Sequence, residues 1–143
     1  MLQLCSKLSI DKFILVNGDY FSYILFFDEN EKGFNTSRFS VVCAVVAYLF
    51  GDYSSAMTFI KICRQYEKHI VSLHMYQIYL FYSGLISLEL AKATNVEERK
   101  DLIKVALESI RELESRALHA PMNYLNKCRL LRAGKYIVYF KMY

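Results

Sequence analysis

Between Val71 and Ala93 almost every position is apolar: Leu73, Met75, Tyr76, Ile78, Tyr79, Leu80, Phe81, Tyr82, Leu85, Ile86, Leu88, Leu90 and Ala91. Placed on a helix, these side chains point in every direction around the axis. A helix apolar all round is either a membrane span or the inner element of a larger helical assembly. His74, Gln77, Glu89 and several serines interrupt the run, which favours a central helix packed on both sides. The remainder of the chain must then supply the helices that cover it.

The 143 residues suffice for one domain with its own core. Apolar residues make up 55% and charged residues 22%, which excludes a disordered segment. A single Pro and five Gly leave too few turns for a β-sandwich or barrel. The expected fold is therefore all-α, built of antiparallel helical hairpins.

Hydrophobic spacing predicts helices near 36–50, 53–69, 71–93, 96–118 and 121–140. Thr36 or Ser37 opens the first, which runs through Val41–Phe50. Gly51 and Asp52 form the following turn, Gly by adopting positive φ and Asp by capping the next helix. The apolar positions Tyr53, Ala56, Ile60 and Cys63 follow the helical period. Asn95 followed by Glu98 has the spacing of a capping box. Leu102, Ala106, Ile110, Leu113 and Ala117 form the next stripe. Lys104–Glu108 and Glu112–Arg116 are i,i+4 charge pairs, and Glu97, Glu98 and Asp101 favour the start of that helix. His119-Ala120-Pro121 ends it, and Pro121 opens the last helix. Residues 1–35 are poorly defined. We expect a helix over Tyr20–Phe27 and a polar loop at Asp28–Gly33.

Charge is unevenly distributed. From Ser115 onward there are six basic residues (Arg116, Lys127, Arg129, Arg132, Lys135 and Lys141) and no Asp or Glu, while the preceding residues hold 12 basic and 14 acidic. Such a basic end is a candidate interaction surface, carried by Arg129, Arg132, Lys135, Tyr136, Tyr139 and Phe140. Seven of the last eight residues are apolar or aromatic and cannot all turn inward on one helix. We therefore expect an open face there, with self-association or a protein partner covering it.

No CxxC pair links Cys5, Cys43, Cys63 and Cys128, and no signal peptide is evident, so reduced thiols and a cytoplasmic location are expected. Cys63, His69 and His74 are spaced unlike any common zinc module. No phosphate-binding glycine loop, nucleophile elbow or HExxH sequence is present. We expect no catalytic residue, cofactor or metal.

Gly51-Asp52-Tyr53-Ser54-Ser55-Ala56 resembles the junction between the two helices of a tetratricopeptide repeat, in which Gly turns the chain, Tyr fills the interhelical space and Ala permits close approach. Gly18-Asp19-Tyr20 lies 33 residues earlier, near that repeat length. Further on come Tyr79-Leu80-Phe81-Tyr82-Ser83, then Ala120-Pro121-Met122-Asn123-Tyr124-Leu125-Asn126-Lys127, then Leu131-Arg132-Ala133. Together with Tyr48–Tyr53, this order resembles the helical region of large bacterial signalling proteins, many of them cyanobacterial. Those proteins join a serine/threonine kinase, an AAA-type ATPase and a sensor histidine kinase. The resemblance covers residues 36–134, with Pro121, Asn123 and Tyr124 in its more specific element. Two positions depart from the family: Asn126 where His is usual, and Gly134 where an acidic residue is usual.

The resemblance implies a tetratricopeptide-like domain over 36–143, incomplete at its C-terminus, and a detached piece of a longer helical linker. It implies a noncatalytic protein–protein interaction or signal-relay module whose partners are kinase or ATPase modules. The alternative from composition is a nucleic-acid binder stacking bases on Tyr124, Tyr136 and Tyr139 between basic residues.

Overall fold

The computed structural model describes residues 32–72 and 74–140. They form five α-helices, α1 (Lys32–Leu49), α2 (Tyr53–Gln65), α3 (His74–Ala91), α4 (Val96–Ala117) and α5 (Pro121–Phe140), with a 3-10 turn at Glu67–His69 between α2 and α3. There is no strand among the described residues. No helix among them is long and apolar enough to cross a membrane. The expected helix over Tyr20–Phe27, the loop residues Asp28–Glu31, the Gly18-Asp19-Tyr20 echo, Cys5 and the tail Lys141–Tyr143 lie outside the described residues.

The turn between α1 and α2 has the form its sequence predicts. Gly51 takes φ 77°. Its N–H donates to the Tyr48 carbonyl at 3.0 Å and that of Asp52 to the Ala47 carbonyl at 3.0 Å, which closes the helix end with paired backbone bonds. A Cβ at Gly51 would meet nothing within 4 Å, so backbone conformation rather than crowding requires glycine here. The Asp52 carboxylate then accepts from the Ser55 N–H at 3.0 Å and caps α2. Asn95 caps α4 in the same way, accepting from the Glu98 N–H at 3.0 Å.

Several placements differ from expectation, and α3 runs His74–Ala91 rather than over 71–93. Helix α1 begins at Lys32 rather than near Thr36, so Lys32 and Gly33 are helical. Thr36 and Ser37 are buried inside the helix instead of capping it, and the Ser37 hydroxyl donates to the Phe34 carbonyl at 2.9 Å. Helix α2 stops at Gln65 because Tyr66 leaves helical geometry, with φ −117° and ψ 16°, and its N–H turns to the Cys63 carbonyl. Asp101 lies beyond the first turn of α4, where only Glu97 and Glu98 are acidic.

Helix α3 is the axis of the assembly. Every other helix packs against it, and α1 with α2, α3 with α4, and α4 with α5 pack as successive pairs. Buried residues on α3 include Tyr76, Tyr79, Leu80, Ser83, Ile86, Leu88 and Ala91. The serines that break its apolar run, Ser83 and Ser87, are themselves buried.

Helices α3 and α5 approach each other through two glycines. A Cβ at Gly84 would lie 2.8 Å from Cδ1 of Leu131, and one at Gly134 would lie 3.1 Å from Cδ1 of Leu88. Each helix thus offers a glycine notch to a leucine of the other. Leu88 and Leu131 are fully buried. This contact gives a packing reason for glycine at position 134.

Filling the notch should destabilise the fold. Gly84→Val is expected to cost about 1–3 kcal/mol by overpacking, and Leu131→Ala about 2–5 kcal/mol by opening a cavity. Because the two side chains compete for one space, the double variant should cost clearly less than the sum. Additive costs in urea denaturation would contradict the notch.

Candidate interaction surfaces

Two surfaces stand out. The first is a cleft of about 710 Å³ between α2 and α4, floored by α3. Ile60, Tyr79, Leu80 and Leu102 give it apolar surface, and Glu67, Glu98, Asp101, Glu108 and Glu112 face it along with Lys61 and Arg64. On α4 the acidic positions recur at 98, 101, 108 and 112, a helical row offset from the apolar one. Arg64 pairs with Glu108 across the cleft at 3.5 Å, so Glu108 turns toward α2 instead of forming the expected pair with Lys104. At one end the Tyr76 hydroxyl donates to Oε1 of Glu67 at 2.6 Å. The Arg116 guanidinium lies 4.6 Å above the Tyr76 ring and pairs with Glu112 at 3.0 Å, the i,i+4 pair expected from sequence. Burial, and then the bond to Glu67, push the Tyr76 hydroxyl well above the ordinary tyrosine range and keep it a donor.

The second surface is the outer face of α5. Its inner face buries Cys128, Leu131 and Val138. On the opposite side Leu130, Ile137 and Phe140 are 57%, 51% and 82% exposed, and Tyr136 is 59% exposed. With Ala133, also exposed, Leu130, Ile137 and Phe140 make a stripe spaced three, four and three residues apart. Arg129 flanks it, Arg132 is held by Glu114 of α4, and Lys135 sits 5.4 Å from the Tyr136 ring and 5.8 Å from that of Tyr139. The expected surface residues Arg129, Arg132, Tyr136, Tyr139 and Phe140 are all exposed, and Lys135 is half-buried.

The junction residues play structural parts. Ala56 is fully buried, and the half-buried Tyr53 ring lies 5.5 Å from Tyr48, which makes an edge contact with Tyr82 of α3 at 5.4 Å. Pro121 and Asn123 are exposed at the start of α5, and Tyr124 is half-buried against the core. Tyr124 is thus not an open ring for stacking.

Among the described residues no group of three His, Cys, Asp or Glu could hold a metal. Cys43, Cys63 and Cys128 are free and buried. Comparisons with protein-family models, curated proteins and solved structures gave no match to this chain.

The buried thiols make a pH prediction. Burial raises Cys43 from 9.0 to about 11 and Cys63 to about 12. The fold thus favours the neutral thiols. Their contribution to stability is complete below pH 9 and is lost as pH climbs from 9 toward 11 and 12, because the unfolded chain ionises first. Urea midpoints should fall over that window, and an aromatic disulfide reagent at neutral pH should label Cys43 and Cys63 only on unfolding. Rapid native-state labelling would contradict this packing.

Proposed function

We propose that this chain is a noncatalytic helical module that binds other proteins, through the outer face of α5 and the cleft between α2 and α4. The single observation that carries this reading is the exposed stripe on α5. A helix that buries one face and leaves a second apolar row in water at this spacing is suited to a further helical surface. The successive pairing of α1 with α2, α3 with α4, and α4 with α5, each packed beside α3, supports a tetratricopeptide-like arrangement. In that arrangement α5 is the first helix of a hairpin, and its open face is where a second would lie.

The resemblance to the helical region that follows the ATPase module and precedes the histidine kinase module of those signalling proteins supports a role in relaying or scaffolding signals, with kinase or ATPase modules as partners. The noncatalytic part of the proposal draws on the absence of recognised catalytic motifs in the sequence and on the burial of Cys43, Cys63 and Cys128.

A photo-crosslinking amino acid at Ile137, introduced into the full chain in its native cells, tests this. A discrete adduct, identified by mass spectrometry and lost on Phe140→Asp, is expected. The purified chain should neither hydrolyse ATP nor transfer phosphate. Turnover abolished by a point mutation within the chain, or the lack of any adduct at Ile137, would overturn the proposal.

A further inference from the structure

The two surfaces have opposite charge. The α2–α4 cleft is faced by five carboxylates against Lys61 and Arg64. Helix α5 carries Lys127, Arg129, Arg132 and Lys135 and no Asp or Glu over its whole length. We infer that the α2–α4 cleft of one copy receives the open face of α5 from a second copy. This deepens the interaction-module reading and rests on it, naming the same chain as partner.

Charge decides which pairing of two copies is favourable. Joining two α5 stripes symmetrically would bring together two helices that each flank the stripe with the unpaired Arg129 and carry no carboxylate of their own, and like charges brought together across an interface are costly. Seating α5 in the cleft instead brings Arg129 and its neighbours against Glu98 and Asp101, at the rim where neither carboxylate makes an ion pair within its own chain. The apolar stripe then meets the apolar floor. A helix laid in a groove reads out side chains at three- and four-residue spacing, which is the spacing of Leu130, Ala133, Ile137 and Phe140. The cleft volume of about 710 Å³ has room for several such side chains. Because groove and ligand helix are different surfaces, the contact is head-to-tail. It builds a ring if the rotation closes and an open chain if it does not.

Light scattering after size exclusion, run on the full chain over a range of micromolar concentrations, reads this out. The mass should rise with concentration and fall with added salt. Arg129→Glu and Asp101→Arg, both at exposed positions, should each weaken self-association at least tenfold while leaving the helical circular dichroism unchanged. Mixing the two variants should restore assembly, since the reversed charge at position 129 of one meets the reversed charge at position 101 of the other and the unaltered surfaces meet in turn. A monomer at every concentration, self-association indifferent to Asp101→Arg, or failure of the mixture to assemble would overturn the inference. If the chain is monomeric but Ile137 still crosslinks to a different protein, this inference fails and the interaction-module reading stands. If the chain is monomeric and Ile137 crosslinks to nothing, both fail.

Discussion

Leu131 reaches the axis of this protein because residue 84 has no side chain. The same exchange occurs a turn further along, where Leu88 of α3 enters the space left by Gly134 of α5. These two notches set how closely α3 and α5 approach, and α4 must fit around both, with Ser109 beside Gly84. Glycine inside a helix costs about 1 kcal/mol in propensity relative to alanine. Here that cost is offset by the burial of two leucines, each contributing roughly 1.5–3 kcal/mol. Once α5 is fixed against α3, its outer stripe has nowhere to turn inward, and the open face follows from the packing of the inner one.

Much of this was legible in the sequence because it rests on local chemistry. Gly51 and Asp52 mark one turn, Asn95 a cap and Pro121 a helix start, and each works through backbone groups within a few residues. The all-round apolar character of residues 71–93 likewise forced a central helix. What escaped were features that depend on a distant partner. Nothing local distinguishes Gly84 or Gly134 from a helix-weakening glycine until Leu131 and Leu88 are in place. The start of α1 was missed because Thr36 and Ser37 look like caps but are buried as small helical residues. On α4, Ile103 and Ser109 are buried while Leu102 and Ala117 are only half-buried, since the helix is turned slightly from the best apolar stripe to meet both α3 and α5.

The cleft was the largest omission. In the sequence the acidic residues of α4 read only as helix-start charges and i,i+4 pairs, because the pairing of Arg64 with Glu108 and the stacking of Arg116 on Tyr76 join residues far apart in the chain. The sequence showed one charged end. The structure adds a cleft of opposite sign, and the interaction proposed for this protein follows from having both on one molecule. Neither surface depends on a reactive group: Cys43, Cys63 and Cys128 are buried, and the Tyr76 hydroxyl at the cleft donates to Glu67.

Helix α3 organises the described fold through its contacts with every other helix. Native-state hydrogen exchange measures it directly. The amides of Ser83–Leu88, beside both notches, should exchange most slowly and only by global unfolding, while the last turn of α5 around Tyr139 exchanges through local opening. Exchange at Ser83–Leu88 as fast as at Tyr139, under conditions where the protein remains folded, would contradict the account.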